Sequence, residues 1–190
     1  MEKAMKIFQG KKIALLAENF YEDLELWYPL LFFRWMGAEA VVVGTGSSDT
    51  YTSKHGYPVK VDKTAAQVKA VDFDAVIIPG GYAPDHMRRY PEMVALVREA
   101  FDQGKVVAAI CHGPWMLASA DILKGKTVTS FFAIKDDLVH AGATHVDQEV
   151  AVDGNIITSR KPDDLPAFCH AIAVALGGGE LHCPQCQAQL

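Results

Sequence analysis

The run V-V-A-A-I-C-H-G-P-W at residues 106–115 takes a stretch of small apolar residues straight into a cysteine and a histidine. A thiol attacks as its thiolate, and an adjacent imidazole is a ready acceptor and donor of protons. A nucleophile is best presented where a strand turns sharply into a helix, because the bend lifts the side chain clear and aims free helix N–H groups at developing negative charge. Small residues two positions either side permit that bend, and Ala109 and Gly113 stand there around Cys111. The same helix start is expected to lower the thiol pKa from about 8.5 towards roughly 3.5–7.5. A lone cysteine is most often a small buried hydrophobe. The strand-to-helix position, the small flanks and the adjoining His112 together favour the nucleophile.

Two other segments could complete a site. P-G-G-Y-A-P-D-H-M-R-R at 79–89 opens on Gly80 and Gly81, which allow close backbone approach, so the N–H of Gly81 could pair with that of His112 as an oxyanion hole. E-N-F-Y-E-D-L-E-L at 18–26 offers several acids, one of which could face the thiol. Residue types alone do not say which, and solvated acids in a first helical turn would look the same. Tyr21, Tyr82 and Trp115 could wall a pocket or simply pack, with packing preferred for Trp115. His55 and His86 read as exposed loop residues, and Cys169 as a core residue of the last helix. H-C-P-Q-C at 182–186 supplies at most three of the four ligands of a structural zinc site, so Cys183 and Cys186 are assigned to a tail and no metal is expected.

The elements that must hold these residues follow from periodicity. K-I-A-L-L-A (12–17) is a short apolar run with the character of a buried strand, Asp23 to Met36 carries apolar residues near helical spacing, and A-E-A-V-V-V-G-T-G (38–46) is a second strand. The unit recurs: a strand at 73–81, a helix from Pro91 to Asp102, a strand at 105–110 and part of a helix from Trp115 to Ala120. Short strands are expected at an edge within 51–62, then at 126–130 and 144–146, followed by a hairpin over 149–159 turning at Asp153-Gly154 and a helix from Asp163 to Leu176. Alternation of this kind predicts an α/β sandwich on a mostly parallel sheet. In such sheets reactive groups gather beyond the carboxyl ends of the strands, which is where all three segments fall.

A chain of 190 residues suits one domain, placed at 12–178 between an N-terminal extension (1–11) and a flexible tail (179–190). A net charge of -5 without a Lys/Arg cluster argues against a nucleic-acid partner. No run is long and apolar enough to span a bilayer, and the start lacks the apolar core of a signal peptide, so no membrane role and a cytoplasmic location are expected. Four cysteines do not make a disulfide framework.

With these segments in view, the chain resembles the PfpI family of intracellular cysteine peptidases and the wider superfamily that includes the Parkinson-linked protein deglycase. The motifs run in order: E-D-L-E-L-W-Y-P (22–29), K-H-G-Y (54–57), P-G-G-Y-A-P (79–84), A-I-C-H-G-P (109–114), T-S (129–130), I-K-D-D (134–137) and S-R-K-P-D-D-L-P-A-F (159–168). The resemblance implies a flavodoxin-like three-layer sandwich, akin to class I glutamine amidotransferases, with no cofactor. It implies Cys111 as nucleophile, His112 as its partner, Glu22 as the acid beside the sulfur, and Gly80, Gly81 and Gly113 around the oxyanion. It also implies a dimer, often assembled to a hexamer, in which the Gly-Gly loop of a neighbouring subunit supplies a third acid; Asp85 holds that position, where the archetypal peptidase has Glu. Consecutive side chains rarely meet face to face, so a carboxylate from across an interface is expected to orient His112.

Three uses of one thiol follow. The leading expectation is a cysteine hydrolase acting on peptide or amide carbonyls. The alternative is a glutathione-independent glyoxalase or protein deglycase acting on methylglyoxal and glycated side chains, with Glu22 moving the proton. The third is a non-enzymatic sensor in which peroxide oxidises Cys111.

Overall fold

Runs such as K-I-A-L-L-A and V-V-A-A-I carry apolar side chains on both faces, so they need cover from helices on both sides. The computed structural model describes residues 6–179 and supplies that cover. The first half runs β1 (Lys12–Ala17), α1 (Asp23–Trp35), β2 (Glu39–Gly44), β3 (Thr50–Thr52), β4 (Pro58–Lys60), β5 (Lys63–Thr64), β6 (Ala75–Ile78), α2 (Ala83–Met87) and α3 (Pro91–Asp102). The second half runs β7 (Val106–Ile110), α4 (Pro114–Ser119), β8 (Thr127–Val128), α5 (Lys135–His140), β9 (Thr144–His145), β10 (Val150–Asp153), β11 (Ile156–Ser159) and α6 (Leu165–Ala175).

Seven strands form the main sheet in the order β10-β11-β7-β6-β1-β2-β5, parallel except for the β10–β11 hairpin. β1 sits between β2 and β6, so the chain leaves β1 to one side and later returns to the other. Such a reversal opens a crevice beyond the strand ends. The loops after β1, β6 and β7 meet there. β7 is held between β6 (Ile78 beside Ala109) and β11 (Ser159 beside Ile110), and its five residues are all buried.

The α/β architecture and the hairpin agree with the sequence reading. The strand expected over 73–81 stops at Ile78, because Pro79 cannot donate to the ladder and the two glycines turn away. The edge segment is split: β3 and β4 pair only with each other, while the short β5 adds to the main sheet. β8 and β9 likewise make a separate pair. Helices α2 and α5, each five or six residues long, were too short to show a period. Ahead of β1, Phe8 is buried against Phe33, the two ring centroids 5.8 Å apart, so part of the 1–11 segment packs on the core. Cys183 and Cys186 lie outside the described residues.

The turn after β7 is tight. Cys111 has φ +61, a left-handed conformation that costs a residue with a Cβ on the order of 1–3 kcal/mol. Its N–H donates to Ser159 O (3.0 Å) and its carbonyl accepts from Phe131 N–H (3.0 Å), so the neighbouring strand and loop pin the bend. Gly113 lies so close beneath that a Cβ there would stand 2.6 Å from Ile78 O and 2.8 Å from Ile110 O. Neither backbone oxygen can yield cheaply. Gly113→Ala is therefore expected to destabilise the protein by about 1–3 kcal/mol, read as a lower urea midpoint at unchanged m-value.

Candidate active site

The bend places the Cys111 sulfur at the floor of a cleft of about 210 Å³ lined by residues from all three loops. Cys111 is 8% exposed, reachable only through that cleft. His112 follows it, yet the two side chains do meet: Nδ1 lies 3.3 Å from Sγ. The left-handed backbone at Cys111 turns the sulfur back toward the next residue, and the imidazole is held by Phe131 (stacked, 5.2 Å) and the edge of Trp115 (5.1 Å). Packing on aromatic rings within the chain therefore orients the imidazole. Burial and the nearby Lys54 charge lower the His112 pKa, which keeps the ring neutral and able to accept a proton.

The acid beside the sulfur is Glu25. The resemblance had put Glu22 there, and Glu22 does line the cleft. Its carboxylate, however, caps α1, with Oε2 accepting the N–H of Glu25 at 2.9 Å, while Oε1 faces Lys54 Nζ at 3.7 Å. Glu25, one turn on, is fully buried. Its Oε2 accepts from Gly80 N–H at 2.7 Å, and Oε1 has no conventional hydrogen-bond partner, leaving the Cys111 sulfur as its polar neighbour. Burial, then the charge of Glu22, pushes the Glu25 pKa up to about 8, so at neutral pH it is mostly a carboxylic acid able to donate to sulfur. The pattern that marks Glu25 was present in the sequence: it falls on the same face as Pro29 and Phe33, four and eight residues on, both buried. An acid on an apolar stripe is the signal.

Gly80 makes this approach possible. A Cβ on it would lie 2.7 Å from both Cys111 Cβ and Glu25 Oε2. Gly81, with φ +71, abuts the backbone of Phe20 and Glu22 and directs its N–H at the sulfur from one side, while the N–H of His112 does so from the other. Both N–H groups therefore converge on the sulfur, beside which the oxygen of an attacked carbonyl would lie.

The thiol itself departs from expectation. Burial, then the negative charge of Glu25 when ionised, raise its pKa, and the two N–H groups offset this only in part. α4 is six residues long and begins three residues beyond the sulfur, too little to reverse that balance. Cys111 is therefore a resting thiol beside a neutral acid and a neutral imidazole.

Asp85 does not line the cleft within its own chain: it lies on α2, paired with Arg89. Among the described residues no carboxylate hydrogen-bonds the His112 ring. Lys54, Phe131 and Lys161 also line the cleft and were not foreseen as site residues, because nothing in their spacing links them to Cys111. Glu22, Asp23 and His55 bring donor atoms within 4.8 Å of one another, the one such group among the described residues. They are engaged otherwise, Asp23 with His55 (2.7 Å) and Ser53 (2.6 Å), and Glu22 as a helix cap. Among the described residues no helix is long and apolar enough to cross a membrane.

The model of the DJ-1/PfpI family matches residues 11–175. The chain is 45% identical over 157 residues to "Deglycase PfpI" of Pyrococcus furiosus, covering 83% of this chain and 94% of that protein. It is 43% identical over 159 residues to "Putative cysteine protease YraA" of Bacillus subtilis, covering 84% and 94%. Among solved structures, a two-domain protein from Anabaena variabilis with DJ-1/ThiJ/PfpI-like and ferritin-like domains superposes with a TM-score of 0.87 at 47% identity; the match covers 90% of this chain and half of that one.

Because the folded pKa of Glu25 lies above its unfolded value, its contribution to stability is full below about pH 4.5 and is lost as pH rises through about 8. The unfolding free energy of wild type should therefore fall by a few kcal/mol across that window relative to Glu25→Gln, whose side chain stays neutral throughout. Denaturant titrations at a series of pH values measure the difference, and parallel curves for the two proteins would contradict the assignment.

Proposed function

The chain belongs to the DJ-1/PfpI family, and from that premise we propose that it is an enzyme using Cys111 on small carbonyl compounds, as a glyoxalase or deglycase. The observation that carries this reading is the buried, protonated Glu25 against the sulfur, in a cleft of about 210 Å³ that suits a small ligand. Relatives named deglycases support it.

Sulfur adds to the aldehyde carbon of a 2-oxoaldehyde, R–CO–CHO, as the thiol proton passes to His112 Nδ1 and on to the oxygen held by the N–H groups of Gly81 and His112. The same hemithioacetal forms when the thiol displaces the amine from a carbinolamine adduct, releasing the amine unmodified. Neutral Glu25 gives its proton to the ketone oxygen, takes as a carboxylate the proton from the carbon bearing sulfur, returns that proton to the neighbouring carbon and recovers one from the former aldehyde oxygen, which leaves the thioester R–CH(OH)–CO–S and Glu25 neutral again. A pKa of about 8 suits a group that must both take and give that proton near neutrality. Water cleaves the thioester to a 2-hydroxy acid and free thiol. The sum is R–CO–CHO plus water to R–CH(OH)–COOH, an internal redox change needing no external oxidant. Glu25 takes this role rather than Glu22 because its carboxyl neighbours the sulfur, whereas that of Glu22 is committed to the α1 cap.

A cysteine peptidase or amidase is the second reading. The 3.3 Å approach of His112 to sulfur favours it, since that ring could protonate a leaving amine, and the relative named "Putative cysteine protease YraA" is matched over 94% of its length.

Assembly belongs to the proposal. Leu24, Tyr28, Leu31 and Trp35 form an exposed apolar stripe along α1, a surface suited to a second copy about a two-fold axis. Phe20 and Tyr82 are exposed beside Asp85, at a second surface where a partner's acid would approach His112. Light scattering should show an oligomer that Leu31→Glu dissociates, and Asp85→Asn should lower turnover at unchanged mass; a fully active monomer would refute the shared site.

Cys111→Ala should abolish lactate formation from methylglyoxal without glutathione while leaving the circular dichroism spectrum and melting temperature in place. Retained turnover in that variant would overturn the proposal. Cleavage of a fluorogenic peptide by the same wild-type sample, without lactate formation, would decide for the second reading.

A further inference from the structure

We propose that the cleft is specific for carbonyl substrates that carry a carboxylate, which Lys54 and Lys161 hold while Cys111 reacts; this rests on the carbonyl-directed reading above. Both lysines line the cleft that holds Cys111 and His112, although they come from separate loops, after β3 and after β11. The protein as a whole carries a net charge of -5, so two cations facing one small cleft run against its overall charge. Among the described residues, the carboxyls lining that cleft are those of Glu22 and Glu25. Glu25 is mostly neutral at pH 7, so the two lysines stand against the single negative charge of Glu22 and leave the lining one positive charge in excess.

Neither ammonium is tightly held. Lys54 Nζ stands 3.7 Å from Glu22 Oε1, longer than a close charge-assisted hydrogen bond, while its backbone N–H donates to Tyr21 O (3.0 Å) and fixes where the side chain starts. Lys161 Nζ pairs at 2.9 Å with Asp163, whose side chain is 80% exposed, and a pair of that kind exchanges readily for a ligand. The charge of Lys54 is felt inside the site, since it is one of the two causes that lower the His112 pKa. A cleft with low-dielectric walls, here Phe131 and Pro162, concentrates such a field on an incoming anion.

Size bounds the substrate as well. A cleft of about 210 Å³ is of the size for a short dioxo acid with its aldehyde on sulfur and its carboxylate at the lysines. The fitting class is a 2-oxoaldehyde with an acid two or three carbons away. 4,5-Dioxopentanoate is such a compound, and its product by the chemistry above, with one water added and no oxidant, is 2-hydroxyglutarate.

The test compares 4,5-dioxopentanoate with its methyl ester, which lacks the charge and adds one methyl group, so the double lysine variant isolates the contribution of charge. Wild type should prefer the acid by about tenfold or more in kcat/KM, mainly through KM, the size expected for one hydrogen-bonded charge contact. Added salt should erode the preference. In the Lys54→Gln/Lys161→Gln double variant the ratio of acid to ester should approach one. Equal use of acid and ester by wild type, or a preference that survives in the double variant, would overturn the inference while leaving the carbonyl chemistry standing. Should neither compound nor methylglyoxal be turned over, the carbonyl reading fails, and the site is then read by binding: 2-hydroxyglutarate should slow alkylation of Cys111 by iodoacetamide more than its diamide does, and less so in the double variant. Equal protection by the two would overturn the inference on its own.

Discussion

The contact between a buried carboxyl and a buried sulfur governs the site. Glu25 and Cys111 come together because Gly80 has no side chain to separate them, and because α1 carries an acid on the face it turns to the core. Two acids at such range out of water cannot both ionise without strong repulsion. The proton inventory of the site is thereby set: a neutral acid, a thiol, and an imidazole that burial keeps neutral. Reactivity then depends on moving a proton when substrate arrives, not on a standing thiolate.

The fold is arranged around that contact. β1 delivers the helix bearing Glu25, β6 the glycine pair, and β7 the bend bearing sulfur, all at the sheet reversal where strand ends diverge. The left-handed conformation at Cys111 would relax if its neighbours allowed it, so the hydrogen bonds from β11 and from Phe131 are part of the chemistry as well as of the fold. His112 shows the same economy. Within the chain, Phe131 and Trp115 pack on the ring and hold it beside the sulfur.

Much of this was legible in the residues. Apolar runs at 12–17 and 105–110 read as buried strands because both their faces are covered, and A-I-C-H-G read as an elbow because only small residues permit that bend. The donors Gly81 and His112 followed from their places after neighbouring strands. What did not follow depends on three-dimensional proximity. Glu22 and Glu25 are both acids of one helical turn, and only the register of α1 against β6 decides which one reaches sulfur. The thiol pKa was misjudged because a helix start is visible in sequence whereas the depth of burial and a neighbouring charge are not. Lys54 and Lys161 stand more than a hundred residues apart and become neighbours only once β11 lies beside β7. Helices as short as α2 leave no period to read.

The account stands on Glu25 holding its proton next to the sulfur, and infrared spectroscopy reads that state directly. The difference spectrum of wild type minus Glu25→Gln at pH 7 should contain the carbonyl stretch of a buried protonated carboxylic acid, and that band should give way to carboxylate stretches as pH is raised through about 8. A difference spectrum at pH 7 holding carboxylate bands alone would show Glu25 ionised beside Cys111 and contradict the mechanism built on it.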